Sequence, residues 1–325
     1  MKISKNIMEI KQINPQIENA VELLKAGELV AFPTETVYGL GADAGNQIAL
    51  NKIFTVKGRP KNHPLILHIA SISQIENYAV NVPDLAYELA ESFWPGPLSL
   101  ILERGENTSK LLTGQQDTVA LRIPNHPVAL ALLEGFGGAI AAPSANRFGR
   151  ISPTTAKHVE AEFGNKIALI LDGGASQVGL ESTILNLSSK KLQILRPGQV
   201  SSKQLAKLIG YEPLIASPYK TTIKSPGMLK SHYSPLTPSS LKNKTELQKI
   251  IQKQDTNIGI ICHSIEPNGL DNYIKIENNP ATYAQKLYAS LRQLDRLDLN
   301  HIYIEEPESN SDWLAIKDRL LRATQ

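Results

Sequence analysis

Apolar positions along the chain recur with two periods. Over residues 17–25 (IENAVELLK) they return every three to four positions, which predicts an amphipathic helix, and Gly27 follows where a helix can end. The run 29–32 (LVAF) is short, wholly apolar and stopped by Pro33, as expected of a buried strand. The same reading predicts helices over 47–54, 84–92, 127–133 and 154–163, and strands over 65–69, 98–102, 118–123, 139–142 and 168–171. Residues 182–187 and 192–195 can pair as strands around a polar turn. Helices and strands alternate, so the predicted class is α/β with a mixed sheet.

The pattern changes after Gly198. A helix is expected over 202–209. Then Pro213, Pro218, Pro226, Pro235 and Pro238 break up a segment rich in Ser, Thr and Lys. Proline fixes φ and removes a donor, so this stretch reads as an extended linker. Its middle, SPGMLKSHYSP, carries more specific side chains than a spacer needs. Beyond it the alternation restarts, with helices at 246–253, 282–297 and 312–322 and strands at 258–262, 273–276 and 301–304. The expected organisation is a domain over 13–200, a linker and lid over 201–244, and a smaller α/β domain over 245–325.

Composition adds limits rather than a function. The 325 residues are 42% hydrophobic and 20% charged, as in a globular protein, and the net charge of +3 is too weak to argue for a polyanionic partner. Cys262 is the single cysteine, so no intrachain disulfide can form. The first residues have no signal-peptide core, and 128–143 is too short and too interrupted by glycine to span a bilayer. The expectation is a cytoplasmic protein.

Local charge is more informative. Residues 54–69, FTVKGRPKNHPLILHI, hold Lys57, Arg59, Lys61, His63 and His68 and contain neither Asp nor Glu. If the segment is extended, Lys57 and Arg59 point to one side of it, and two like charges there repel unless an anion sits between them. On side-chain chemistry alone, a solvated surface loop is an equal reading. Familiar anion-binding motifs do not apply. The glycines at 174 and 179 lack the lysine of a Walker A loop, and the G-x-G-x-x-A match at 39–44 follows Pro33 rather than a strand end. His63 and His68 lack the partners of a zinc site, and Ser144 lacks the G-x-S-x-G setting of a nucleophile.

Several segments, in this order and spacing, resemble the YrdC/Sua5 family. They are PTETVYGLG (33–41), KGRPKNHPLILHI (57–69), WPGPLSLIL (94–102), RIPNHP (122–127), PSANRFGRISPT (143–154), ESTILNL (181–187) and ILRPG (194–198). The linker and the remainder resemble the long, two-domain Sua5 form. The resemblance implies a YrdC-like twisted mixed sheet with a basic concave cavity, followed by a smaller Rossmann-like α/β domain. It also implies an L-threonylcarbamoyladenylate synthase, which joins L-threonine, bicarbonate and ATP and releases pyrophosphate. The product would pass to a partner transferase that modifies adenosine 37 of tRNAs reading ANN codons.

The family signature K-x-R with S-x-N falls on Lys57, Arg59, Ser144 and Asn146, the implied catalytic residues. Implied ATP contacts are Arg59, His63, Thr118, Ser144, Ser152, Arg196 and Tyr233. Implied threonine contacts are Thr36, His68, Arg122, Ser182 and the backbone of Ala142. Mg²⁺ is expected to arrive on the ATP phosphates, with no protein ligands of its own. Position 63 is commonly Asn in the family; the histidine here would carry a charge that varies with pH. Lys61 is left to solvent. The product is a mixed anhydride, so residues 225–235 are expected to close over the cavity and exclude water, with Tyr233 on the nucleotide. Two other readings stay open: a double-stranded RNA or tRNA-binding module using the same basic cavity, and a carbamoyl-adenylate enzyme of the hydrogenase-maturation kind, whose zinc-finger segments are missing here.

Overall fold

A computed structural model describes residues 15–189, 191–216, 223–229 and 231–325. These residues divide into two compact units. The first comprises the described residues up to Phe148, then Pro153–Gln177 and Glu181–Met228; the second comprises Gly149–Ser152, Val178–Leu180 and Leu229–Gln325. The expected division at residue 200 therefore shifts. The first unit runs on to Met228, and the second reaches back twice into the chain. Ile13, the expected domain start, and Pro218 within the expected linker lie outside the described residues.

The elements of the first unit are helix α1 (Pro15–Lys25), strands β1 (Val30–Phe32) and β2 (Gly39–Asp43), α2 (Gln47–Lys57), β3 (Ile66–His68), β4 (Ala79–Val80), α3 (Asp84–Phe93), β5 (Leu98–Arg104), β6 (Thr118–Arg122), α4 (Pro127–Phe136), β7 (Ile140–Ala141), α5 (Ala156–Phe163), β8 (Leu169–Ile170), β9 (Thr183–Asn186), β10 (Gln193–Arg196), α6 (Ser202–Ile209) and β11 (Leu214–Ile215). One mixed sheet runs in the order β11-β10-β9-β5-β6-β3-β7-β2-β1-β8, with β4 beside β5. β3 sits at its centre, parallel to β6 and antiparallel to β7, so His68 lies directly opposite Arg122 and Ile140. Both faces of β3 are covered, which is why it reads as an unbroken apolar run.

Strand β2 has no apolar alternation to announce it. Its glycines serve close packing instead: a Cβ on Gly41 would stand 2.9 Å from Ile140 Cγ2 and 2.9 Å from Phe32 Cε1. This also accounts for the G-x-G-x-x-A match as strand packing and not a phosphate loop.

Helix α2 brings the chemistry into place. Asn46 caps it, its side chain accepting from Ile48 N at 3.0 Å and Ala49 N at 3.1 Å. Its buried stripe is Ala49, Leu50, Ile53 and Phe54, and the next turn continues that stripe with Lys57. The helix ends at Gly58 with φ 63°, where Gly58 N donates to Thr55 O and Arg59 N to Phe54 O, a Schellman closure that glycine makes without strain. The expected extended segment is thus a helix end. Lys57 closes the buried face, and the glycine turns the chain so that Arg59 returns to Lys57.

The second unit contains β12 (Ser239–Lys242), α7 (Lys244–Ile251), β13 (Ile258–Cys262), β14 (Tyr273–Lys275), α8 (Pro280–Leu294), β15 (His301–Glu305) and α9 (Leu314–Ala323). Its sheet, ordered β12-β15-β13-β14, is parallel throughout, and Leu247, Ile258, Ile260 and Cys262 form its core. At the carboxyl ends of β13 and β15, Glu305 accepts from the backbone of His263 at 2.7 Å and of Ser264 at 2.9 Å, and from the Ser264 hydroxyl. Among its described residues the expected linker 201–244 holds α6, as predicted, and also the strands β11 and β12. Among the described residues no helix is long and apolar enough to cross a membrane.

Candidate active site

Lys57 is 3% exposed, and its ammonium donates to the carbonyls of Ser144 and Asn146, each at 2.5 Å. Both carbonyls lie just after β7, in a segment whose Ser144 bridges to Gly39 of β2. Burial first, then the Arg59 charge, holds the Lys57 pKa well below the ordinary lysine value, with Glu162 acting weakly the other way. The K-x-R and S-x-N segments thus meet in space. The serine and asparagine backbone holds the lysine, a role the sequence pattern did not reveal. The Asn146 side chain donates to Arg147 O at 2.8 Å.

Arg59, 7% exposed, donates from Nη2 to Pro64 O at 2.9 Å, and its guanidinium lies over the Phe148 ring, 5.6 Å from the centroid. His63 meets the same ring edge-on at 5.3 Å. Phe148 therefore supports two of the implied ATP residues, and sequence reasoning missed it. Its backbone N donates to Lys57 O, locking the two segments together. The pKa of His63 is pushed down to about 4 by partial burial, then by Arg59 and Lys224. Burial and the two cations work against the pH-variable charge expected at this position, and ATP phosphates would work for it.

The implied threonine residues form a second, adjoining group. Arg122 donates from Nη1 to Thr36 Oγ1 at 2.9 Å and from Nε to Gly96 O at 3.1 Å. Its Nη2 stands 2.6 Å from Glu35 Oε2, and both side chains are almost wholly buried, at 4% and 5% exposure. Glu35 was not anticipated, although it sits within PTETVYGLG. Thr34 Oγ1 lies 2.8 Å from Thr36 Oγ1, accepts from Val37 N and donates to Val37 O, fixing the turn that presents Thr36. His68 is held neutral, its pKa lowered to about 3 by burial and by Arg122. Ala142 is buried at the end of β7, its N donating to Ile66 O.

Arg196 joins the two sets. It donates from Nε to Ser182 O at 2.9 Å, from Nη2 to Ser182 Oγ at 3.0 Å and from Nη1 to Pro226 O at 3.2 Å. Ser182 Oγ also lies 2.8 Å from Ser99 Oγ on β5, another residue the sequence did not single out. Gly198 lets the chain pass: a Cβ there would stand 2.4 Å from Thr183 N. Thr118 opens β6 opposite Glu103 and is half-buried, away from these hydrogen bonds. Among the described residues no cluster of three or more His, Cys, Asp or Glu is placed to hold a metal.

Ser152 and Tyr233 belong to the second unit. The segment of Ser152 is tied there by an Arg150–Asp295 ion pair at 3.1 Å and by a hydrogen bond from Arg292 to Ile151 O. Tyr233, 1% exposed and at φ 65°, stacks on Tyr288 at 5.7 Å with the Arg319 guanidinium on its ring at 5.4 Å. Of the expected lid, Ser225 to Met228 go with the first unit and Leu229 onward with the second; Lys230 lies outside the described residues.

Known proteins are similar to this chain in sequence and in fold. The Sua5/YciO/YrdC family model, described as telomere recombination, matches residues 22–198, and the model for the threonylcarbamoyl-AMP synthase C-terminal domain matches residues 200–325. The chain belongs to the Sua5/YrdC family, in its two-domain form. The threonylcarbamoyl-AMP synthase of Bacillus subtilis is 40% identical over 97% of this chain and 94% of its own length. That of Pyrococcus abyssi is 38% identical over 95% and 94%. The crystal structure of P. abyssi Sua5 complexed with L-threonine is similar with a TM-score of 0.89 at 37% identity, covering 95% of this chain and 94% of that one.

Proposed function

We propose that the chain synthesises L-threonylcarbamoyl-AMP from L-threonine, bicarbonate and ATP, releasing pyrophosphate. The observation that carries this reading is the Lys57–Arg59 pair, two buried basic side chains brought together by a glycine turn, with the Lys57 ammonium held by the carbonyls of Ser144 and Asn146 and the Arg59 guanidinium by that of Pro64. Such a pair is unfavourable alone and favourable around a polyanion. In the reaction the threonine amine adds to the carbon of bicarbonate with loss of water, forming the N–C bond of N-carboxythreonine, and a carbamate oxygen of that species attacks the α-phosphorus of ATP. The new bond is O–P, and the bond broken is that between the α-phosphorus and the bridging oxygen, whose electrons leave with pyrophosphate. Catalysis of this kind rests on positioning and on charge stabilisation. Lys57 supplies a compact point charge and Arg59 a planar fork, and Ser144 and Asn146 hold the lysine in place.

Arg59, His63, Thr118, Ser144 and Arg196 are assigned to ATP within the first unit, and Thr36, His68, Arg122, Ser182 and Ala142 to threonine. Arg122 offers the bidentate geometry a carboxylate needs. Mg²⁺ enters with ATP: the oxygens around Lys57 are carbonyls already engaged with an ammonium, so the cation is carried by the phosphates. The adenylate is an activated intermediate, passed to a transferase that completes threonylcarbamoyladenosine at position 37 of tRNAs reading ANN codons, and a direct RNA contact belongs to that hand-over. Pyrophosphate release from ATP tests the reaction. It should require both L-threonine and bicarbonate; release that ignores either one, or RNA binding with no release at all, would overturn it.

A further inference from the structure

The threonine residues given by family resemblance hold a charge imbalance. Arg122 is their sole cation, and His68 is held neutral beside it. L-Threonine brings a carboxylate and an ammonium. Arg122 answers the first, but an ammonium buried beside a guanidinium without a counter-charge is strongly disfavoured. Glu35 lies where that counter-charge is needed. It is 4% exposed, its Oε2 is 2.6 Å from Arg122 Nη2 at an angle that forms no proper hydrogen bond, and its Oε1 has no donor. Buried carboxylate oxygens without donors are costly and uncommon. His126, which senses the Glu35 charge, is already engaged with Gly173 O and Val128 N. Glu181, the other buried carboxylate beside this group, has interactions of its own.

We propose that Glu35 receives the ammonium group of L-threonine, so that the Glu35–Arg122 pair recognises the amino acid as a zwitterion, an inference that rests on the function proposed above. Pair and substrate are then complementary: guanidinium to carboxylate, carboxylate to ammonium, with Thr36 on the arginine between them. The site selects α-amino acids over hydroxy acids of the same shape. Once the nitrogen is carboxylated, its positive charge is gone and the new carbamate is anionic, so the attraction to Glu35 is lost.

The test compares L-threonine with 3-hydroxybutyrate, which keeps the carboxylate, hydroxyl and methyl groups and lacks the amine. Both are titrated calorimetrically into wild type and Glu35→Gln. The variant should bind L-threonine roughly 10- to 100-fold more weakly, the loss of a charge-assisted hydrogen bond, and 3-hydroxybutyrate within about twofold of wild type. Equal loss for both ligands would overturn the proposal, because Glu35 would then act only by orienting Arg122. If Glu35→Gln does not fold, Glu35→Asp withdraws the carboxylate by one methylene and is judged by the same criterion. Wild type that binds no L-threonine would instead sink the proposed function.

Discussion

Cutting the Glu35–Arg122 pair from one side should cost far more than removing it whole. With both side chains at or below 5% exposure, Arg122→Met leaves a carboxylate buried without a counter-ion. Taking the charge centres as about 4 Å apart and the effective dielectric as about 20, the lost attraction is about 4 kcal/mol. Thr36 Oγ1 and Gly96 O lose a donor as well, so the single variant should be destabilised by about 3–5 kcal/mol. Glu35→Gln leaves the arginine anchored to Gly96 and Thr36 and should cost less. The double variant removes both charges, and its loss should fall short of the sum of the singles by about 2–4 kcal/mol. The two tryptophans make the measurement specific. Trp94 lies in the first unit and Trp313 in the second, so urea unfolding in a Trp313→Phe background reports on the first unit through Trp94 fluorescence. Additivity within about 0.5 kcal/mol would show that the two charges do not depend on one another.

Lys57 predicts a proton linkage. Its lowered pKa rises again when phosphates approach, so ATP binding takes up a proton, and affinity falls as pH climbs from the lowered value of the free protein toward the ordinary 10.5; Lys57→Met should abolish the uptake, measured by calorimetry in buffers of different ionisation heat. Glu305 predicts an acid transition in the second unit. Burial raises its pKa, but hydrogen bonds from Ser264 and His263 outweigh that and leave it below 4.5. The stabilisation is full above the unfolded value and lost as pH falls through the folded one, so Glu305→Gln should flatten the acid limb of unfolding followed at Trp313. Two glycines should differ in kind. Gly58→Ala meets no neighbour within 4 Å and should cost only the left-handed backbone, about 1 kcal/mol, whereas Gly198→Ala forces Thr183 and Ser182 aside and should cost at least about 2 kcal/mol and displace Arg196; chemical denaturation of both variants decides this.

The α/β alternation and most elements were legible because each buried face imposes its period on the sequence. Helix α2 runs past the predicted end at Phe54, and its buried stripe continues to Lys57, which the sequence pattern places in an extended segment. Strand β2 was illegible because its packing uses glycines, whose role depends on Phe32 and Ile140 across the sheet. The side-by-side placement of Lys57 and Arg59 was anticipated for the wrong reason: a helix end and a left-handed Gly58 produce it, not an extended segment. Glu35, Ser99 and Phe148 each act on residues far away in the sequence, and no local pattern marks such a pairing. The position-63 histidine was identified, but its lowered pKa comes from partial burial and then from Arg59 and Lys224, which only the fold brings near.

The second unit is not encoded in one piece. It includes Gly149–Ser152 and Val178–Leu180, held by Arg150 on Asp295, Arg292 on Ile151, and the close approach of Gly179 to Gln285. A gene cut after residue 228 would yield a first unit carrying two orphaned stretches, each shaped to partners that were never translated. Grafting the C-terminal half onto another member of the family would meet the same obstacle from the other side. The two units are therefore not interchangeable cassettes, and the host's residues 149–152 and 178–180 would have to be rewritten with any such exchange.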